Sequence, residues 1–317
     1  MNDLISTLAN RFIIGTDGKD SLVGDTGDNF IVGGEGDDAL VGDAGIDVLL
    51  GGAGKDAITG GEDGDVIFGG AEDNTISGEE GGDVIFGGND SDAIIGGLGA
   101  DAILGGDGIN VIEGEEDGDA IFGGADTDII SGGAGDDTIY ADGGNDLVEG
   151  NAGNDIVFGC AGTDAINGGD GDDRIFGEED NDTLLGGGGS DVLFGGNADD
   201  LLSGGAGVDT LTGGSGADAF LLSTAGGDTI TDFTVGEDIF LLSAADFVSG
   251  LTPGAPLSTD QFTIGASAST GEQRFAYNAD SGALYFDSDG VGGIEQSQIA
   301  TLSAGLALNN NSFIAIT

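Results

Sequence analysis

Several residue types that carry catalysis or covalent cross-links are absent or nearly absent from the 317 residues. Histidine does not occur, which excludes Ser-His-Asp and Cys-His catalysis, HExxH metalloprotease chemistry and histidine-bearing zinc sites. The single cysteine, Cys160, excludes an intramolecular disulfide framework, and we expect it to be a free thiol without a role. No GxSxG motif is present either, so the sequence predicts a protein that is not an enzyme.

Positive charge is also scarce. Five Lys and Arg residues stand against 60 Asp and Glu residues, a formal net charge of −55. Such a surface repels nucleic-acid phosphates and anionic membranes. No apolar run is long enough to span a bilayer, and the start, MNDLISTLANRF, lacks the basic and apolar regions of an ordinary secretory signal. We therefore expect neither a nucleic-acid partner nor a membrane span.

What the chain has in abundance is glycine, 69 residues, placed in a strict nine-residue period. The 207 residues from Gly15 to Leu221 divide by nine into 23 repeats without an insertion or deletion. Position 1 is Gly in all repeats but the one that starts at Ala141. Position 6 is Asp in 20 repeats and Asn in three, and position 8 is Leu, Ile, Val or Phe in all 23. This register predicts a repeat architecture over two thirds of the chain.

Each nonapeptide divides into a turn and a strand. Glycines at positions 1, 2 and 4 allow positive φ and close backbone approach, so positions 1 to 6 predict a turn. Positions 7 to 9 are rich in β-formers, and uniformly apolar position 8 predicts one inward side chain. Two repeats make one coil of 18 residues. The predicted fold is all-β: a parallel β-roll, or β-solenoid, of about 23 repeats and eleven and a half coils, with a C-terminal β-rich capping region.

The position-6 carboxylates raise an electrostatic problem in such a roll. Coils at strand spacing place them about 5 Å apart, where two unit charges repel by roughly 0.8 kcal/mol in water and about 3 kcal/mol at a dielectric of 20. Ordinary turn chemistry explains one such aspartate, but twenty in one register favour a bound cation. Oxygen ligands in a flexible loop suit calcium better than magnesium or zinc. The predicted metal ligands are Asp20, Asp38, Asp47, Asp56, Asp101, Asp137, Asp146, Asp155, Asp164, Asp173, Asp191, Asp209 and Asp218.

The nonapeptide GGxGxDxUx resembles that of the RTX (repeats-in-toxin) calcium-binding β-roll family, and the resemblance covers Gly15 to Leu221. It implies that turn carbonyls and the position-6 aspartates of stacked turns hold multiple Ca²⁺ ions. Other residues replace the position-4 Gly in seven repeats, and there we expect weaker or altered sites. In GEEDGDAIF (114–122) we expect a rebuilt turn. The substituted positions are Asp63, Glu72, Asp90, Asp117, Asp126, Asp180 and Ala198.

The ends of the chain are assigned separately. Residues 1–14 are expected to form an N-terminal cap, too short for a catalytic domain, and residues 15–221 the roll. Residues 222–317 are expected to close it and to carry a type I secretion signal, because this region looks like the C-terminal segment of RTX exoproteins. Within it, residues 253–260 predict a linker, and two hairpin-like runs follow between Arg274 and Leu302.

Function is predicted from the roll itself. The favoured hypothesis is a secreted calcium-binding structural protein of the cell surface or extracellular matrix that folds on calcium binding. The alternative is an adhesin or glycan-binding surface module. Repeats are numbered from the one that starts at Gly15. Position 9 of the even-numbered repeats is apolar in ten successive cases and should point outward, which predicts self-association through an exposed face. Its aromatic members are Phe68, Phe86, Phe122, Tyr140, Phe158, Phe176 and Phe194.

Overall fold

The computed structural model describes residues 11–224, 226–247, 251–290 and 295–317, so most of the predicted N-terminal cap lies outside the described residues. Within these ranges there is no α-helix and no helix that could span a membrane. One 3₁₀ turn, Asn310–Ser312, precedes the last strand. The all-β fold class is confirmed. The strands are β1 (Phe12–Ile14), β2 (Ser21–Val23), β3 (Phe30–Glu35), β4 (Ala39–Ala44), β5 (Val48–Ala53), β6 (Ala57–Glu62), β7 (Val66–Ala71), β8 (Thr75–Glu80), β9 (Val84–Gly88), β10 (Ala93–Leu98), β11 (Ala102–Gly106), β12 (Val111–Glu116), β13 (Ala120–Gly124), β14 (Ile129–Ala134), β15 (Thr138–Asp142), β16 (Leu147–Ala152), β17 (Ile156–Ala161), β18 (Ala165–Asp170), β19 (Arg174–Glu179), β20 (Thr183–Gly188), β21 (Val192–Asn197), β22 (Leu201–Ala206), β23 (Thr210–Ser215), β24 (Ala219–Leu222), β25 (Asp228–Ile230), β26 (Ile239–Ser243), β27 (Phe262–Ile264), β28 (Phe275–Asn278), β29 (Ala283–Phe286), β30 (Ser297–Thr301) and β31 (Phe313–Ile316).

The chain divides into two compact units, Met1–Ala165 and Ile166–Thr317. In each unit a strand pairs in parallel with the strand two places further along the chain, 18 residues on. Ile31 of β3 lies opposite Leu49 of β5 in the first unit, and Leu184 of β20 lies opposite Leu202 of β22 in the second. Successive strands thus belong to opposite sheets, which is the parallel β-solenoid that the period predicts.

Position 8 forms the core in both units. From Ile31 to Phe220 these side chains are at most 2% exposed, while positions 7 and 9 of the same strands are half-buried or exposed. The alternation follows from the strand period of two, which turns neighbouring side chains to opposite faces. Position 8 therefore points inward and position 9 outward, as predicted.

The strands are longer than predicted and the turns shorter. Pairing continues past position 9 through positions 2 and 3, so that Gly34 lies opposite Gly52 and Glu35 opposite Ala53. Most strands in the repeats therefore span five or six residues, and the turn is confined to positions 4 to 6. The glycine-rich start of each repeat suggested a turn, but these residues pair along the sheet without needing a side chain.

Glycine is favoured at positions 1 and 2 of the repeat for different reasons. Gly52, at position 2, has a φ of +115°, a conformation that L residues rarely adopt. Gly51, at position 1, has no such φ, but a Cβ added there would collide with Oδ2 of Asp56 and lie 2.5 Å from the carbonyl oxygen of Gly69. Position 1 is therefore glycine because the backbone and a carboxylate approach it closely.

The coil continues beyond the last nonapeptide. β24 pairs in parallel with β26, and β26 with β31, so the solenoid has about 13 turns rather than eleven and a half. β28, β29 and β30 pair antiparallel, as the two hairpin-like runs predict. The segment predicted to be a linker is not one: its backbone bonds to β31 through Gly254 and Ala255, and Leu257 is 2% exposed.

Candidate metal centres in the turns

The position-6 side chains lie inside the turns rather than on the surface. From Asp38 to Asp218 they are at most 3% exposed. Each places Oδ1 on the backbone N–H of the position-6 residue of the preceding coil in its unit. The N–H of Asp101 donates to Asp119 Oδ1 at 2.8 Å, and that of Asp119 donates to Asp137 Oδ1 at 2.8 Å. These bonds fix the side chains in a column at each edge of the coil.

The second carboxylate oxygen is left without a partner in most of these turns. Oδ2 is buried and accepts no hydrogen bond from any described group, although a buried charged oxygen normally has a partner. A repeated unpartnered oxygen of this kind calls for a partner that the chain does not supply, such as a water molecule or a cation. The oxygens are Oδ2 of Asp38, Asp47, Asp56, Asp65, Asp83, Asp92, Asp101, Asp119, Asp128, Asp137, Asp146, Asp191, Asp200 and Asp209.

Burial makes the negative charge of these groups costly. Desolvation raises the pKa of Asp65, Asp119 and Asp146 to about 7, although the hydrogen bond from the backbone N–H of the preceding position-6 residue, here called the ladder bond, partly offsets it. The same cause raises the pKa of Asp101 and Asp137 to about 6. Neighbouring carboxylates add to the shift at Asp119, which faces Asp101 and Asp137. Near neutral pH these carboxyls therefore favour a bound proton or a bound cation.

The surroundings of Oδ2 fit a hard cation. Over Gly132, the space that a Cβ would fill is bordered by Oδ2 of Asp137 and, at 2.9 Å, by the carbonyl oxygen of Gly150 in the next coil. Within the described ranges no three Asp, Glu, His or Cys side chains converge on one point, so a cation here would have to take most of its ligands from backbone carbonyls or water. Carboxylate and carbonyl oxygens in a turn are a calcium donor set.

The predicted ligands share this arrangement with one exception. Asp155 and Asp164 take the ladder bonds of Asp137 and Asp146, and Asp173 donates to Asp191. Asp218 accepts from Asp200. Asp20 differs: it is half-buried, and its Oδ2 accepts hydrogen bonds from the N–H and hydroxyl of Thr16. The other eight predicted aspartates all have the orphan Oδ2.

The substituted turns keep a positive φ at position 4, although a smaller one than the glycine turns have. Six of the seven residues that replace Gly have φ between 68° and 76°, whereas Gly54 and Gly135 have 123° and 139°; Asp126 is the exception. The turn at Asp117 thus differs in φ from the glycine turns, but Asp119 behind it has the common carboxylate geometry. Position 6 alone was the signal that would have found all the aspartate turns. The candidates added in this way are Asp65, Asp83, Asp92, Asp119, Asp128, Asp182 and Asp200.

Comparison with protein families agrees with the geometry. The profile described as the RTX calcium-binding nonapeptide repeat (4 copies) matches ten overlapping segments between residues 14 and 230, including 14–49, 95–130 and 194–230. The chain belongs to this RTX family. The matches extend past the last nonapeptide at Leu221, in agreement with the coil that continues there.

Other relatives of this RTX chain are distant. A solved structure titled as the AlgE6R3 subunit of the Azotobacter vinelandii mannuronan C5-epimerase matches with 20% identity over 63% of this chain and 80% of that one. Its TM-score of 0.20 supports no argument about this chain. No curated protein matches. Calcium as the ion of these turns thus rests on the repeat family and on the donor set.

Proposed function

We propose that this RTX chain is a secreted calcium-binding structural protein of the cell surface or extracellular matrix, which folds on calcium binding and self-associates. The observation that carries the proposal is the column of buried Oδ2 atoms without hydrogen-bond partners. A folded chain without cations would hold these carboxylates at raised pKa and close to one another. Calcium relieves both costs at once.

Calcium dependence suits a protein that leaves the cell unfolded. Ligands arranged only in the folded state bind the ion only there, so ion binding stabilises the fold by mass action. Extracellular calcium modules bind in the 10⁻⁴ to 10⁻³ M range. The chain would therefore stay unfolded where calcium is scarce and fold outside. The proposed secretion signal lies in residues 222–317.

The proposal assigns the chain no catalytic activity. The RTX repeats and the coil that they form account for most of the described residues. The role of the roll is then to present its faces and edges. The face that differs most from an ordinary protein surface is formed by position 9 of the even-numbered repeats.

That face carries stacked aromatic rings. Phe68 and Phe86 have centroids 4.8 Å apart at 3°, and Tyr140 lies 5.1 Å from Phe122 and 4.6 Å from Phe158, at 3° and 5°. In the second unit Phe176 and Phe194 stack at 5.1 Å. Phe68 and Phe122 keep 39% and 42% of their surface exposed.

A second copy of the chain is the partner that fits this row of stacked aromatic rings best, because its own rings have the same spacing. Contact between two such faces would bury aromatic surface on both chains. Calcium would also lower the mutual repulsion of two chains that each carry a formal charge of −55. The proposal therefore couples assembly to calcium.

The folding proposal is tested by circular dichroism and size measurement during a calcium titration. We expect an expanded chain in chelator and a compact β-rich chain in millimolar calcium. Identical spectra and sizes in the two conditions would reject the proposal, because the fold would then need no ion.

Assembly is tested by sedimentation of the calcium-loaded chain. Replacing Phe122, Tyr140 and Phe158 by Ser should leave the fold and abolish assembly. The matched control replaces three exposed side chains of the opposite sheet by Ser and should still assemble. They are Val111, Ile129 and Leu147, with 41%, 46% and 46% of their surface exposed. A wild type that stays monomeric at high concentration would contradict self-association. Ring-dependent binding on a glycan array would then favour the adhesin alternative.

A further inference from the structure

Three turns carry Asn instead of Asp at position 6: Asn29, Asn74 and Asn110. Their Oδ1 atoms accept a hydrogen bond either from the preceding position-6 residue, as the aspartates do, or from a residue of the same turn. Asn74 Oδ1 accepts from the N–H of Asp56 and Asn110 Oδ1 from that of Asp92, each at 3.0 Å, while Asn29 Oδ1 accepts from Asp25. The substitution therefore preserves the buried position of the side chain, which is at most 4% exposed.

The other end of the amide makes a bond that a carboxylate cannot make. Nδ2 of Asn74 donates to the carbonyl oxygen of Glu72 at 2.9 Å, and Nδ2 of Asn110 donates to that of Gly108 at 3.1 Å. Nδ2 of Asn29 bonds in the same way to Gly27. In all three turns the acceptor is the position-4 carbonyl of the same repeat. That carbonyl oxygen therefore lies within reach of the position-6 side chain.

In two of these turns Nδ2 also occupies the place that Oδ2 takes in an aspartate turn. A Cβ built on Gly69 would lie 2.8 Å from Nδ2 of Asn74, and one built on Gly105 would lie 2.8 Å from Nδ2 of Asn110. The corresponding neighbour at Gly123 is Oδ2 of Asp128, at 2.6 Å, and at Gly24 it is Oδ1 of Asn29. The Asn74 and Asn110 turns thus place an N–H donor to the position-4 carbonyl where an aspartate turn places a carboxylate oxygen. An aspartate there would set two acceptors against each other.

We propose that Asn29, Asn74 and Asn110 make turns that need no ion, because their side-chain amide supplies the positive hydrogen-bonding group that a cation supplies in the aspartate turns. The inference rests on calcium binding at the aspartate turns. It predicts that the chain binds fewer ions than it has repeats, and that no calcium binds at these three turns. Calcium stoichiometry is then set residue by residue at position 6.

The placement of two of these turns gives them a further effect. Asn74 and Asn110 alternate with Asp56, Asp92 and Asp128 along one edge. Each neutral amide lies between two carboxylates of the column, which would otherwise have a charged neighbour at that level. The edge is thus less dependent on calcium here than the opposite edge, where Asp65 to Asp137 are all aspartates.

The test counts bound ions and measures the calcium midpoint of folding for the full chain. The double variant N74D/N110D restores the carboxylates without changing side-chain size. We expect two more calcium ions per chain by equilibrium dialysis with metal analysis, and a higher calcium midpoint by circular dichroism. An unchanged ion count and midpoint would overturn the inference.

A reciprocal pair of variants separates the amide from mere loss of charge. D119N should lose one ion and fold at lower calcium, since its amide can reach the carbonyl of Asp117, a position-4 residue whose φ of 72° matches the 68° of Glu72. D119A should lose one ion and need more calcium, because it leaves the ladder N–H of Asp101 unpaired. Equal midpoints for the two variants would contradict the amide role. A wild type that binds no calcium would instead reject the proposed function.

Discussion

Two glycines of one strand should respond in opposite ways to the same substitution. Gly186 and Gly188 lie two residues apart in β20, at positions 1 and 3 of one repeat. A Cβ on Gly186 would collide with Oδ2 of Asp191 and lie 2.5 Å from the carbonyl oxygen of Gly204. A Cβ on Gly188 would meet nothing closer than Oδ1 of Asp170 at 3.6 Å. Neither residue has positive φ, so only the space around them differs.

The magnitudes follow from the contacts. Gly186→Ala inserts a methyl group into a closed turn and should lower the free energy of unfolding by about 1–3 kcal/mol, a typical cost of overpacking. It also displaces the Asp191 carboxylate from its ladder bond to Asp173 and from the proposed ion. Gly188→Ala should raise the free energy of unfolding by about 0.4–1 kcal/mol, because alanine restricts the unfolded chain. The two variants should therefore differ by at least roughly 1.4 kcal/mol, a factor of ten in the folding equilibrium.

Urea unfolding of both variants in saturating calcium, followed by circular dichroism, measures this difference. The calcium midpoint of folding should also rise for Gly186→Ala and stay near the wild-type value for Gly188→Ala. If the two variants unfold at the same urea concentration, the close approach of carboxylate, carbonyl and position-1 glycine is not what requires glycine there.

Three further predictions concern pH, the choice of ion and the core. In the folded chain the pKa of Asp65, Asp119 and Asp146 is raised to about 7. Protonation of these carboxyls therefore stabilises the fold fully below their pKa in the unfolded chain, and this stabilisation is lost as pH rises through their pKa in the folded chain. In chelator the folded fraction seen by circular dichroism should therefore increase as pH falls from about 7 towards about 4, and a decrease would refute this. Magnesium at the same concentration should not replace calcium in the folding titration, since it demands octahedral geometry and keeps its waters; equal midpoints would argue against turn carbonyls as ligands. Ile139→Ala, at a fully buried position 8, should cost about 2–5 kcal/mol in urea unfolding, whereas Thr138→Ser beside it should change little; similar costs would contradict the assigned core.

The core and the coil follow directly from the sequence, because position 8 alone marks the core and the nine-residue period alone sets the coil. Position 8 is apolar in all 23 repeats, and its side chains from Ile31 to Phe220 are the buried ones. The nine-residue period fixes which residues stack, so the column of position-6 side chains was predictable in outline. The length of each strand was not, because glycines at positions 1 and 2 favour a turn by residue type, although here they continue the pairing.

The candidate sites were predictable by residue type and less so by environment. A position-4 residue other than Gly suggested a damaged turn, yet Asp63, Glu72 and Asp90 also adopt a positive φ, of 73°, 68° and 69°. Asp tolerates this conformation better than most residues, which explains two of the three. The closing strands β25 and β26 could not be predicted as coil, since Asp228 and Asp238 take the ladder bonds at spacings of 19 and 20 residues.

The central claim is that the buried Oδ2 atoms face calcium, and anomalous diffraction from crystals grown in calcium tests it most directly. The account predicts calcium peaks at about 2.3–2.6 Å from Oδ2 of Asp119 and Asp137, and none beside the amide of Asn74. Water molecules alone beside those Oδ2 atoms, with calcium confined to exposed carboxylates at the surface, would contradict it.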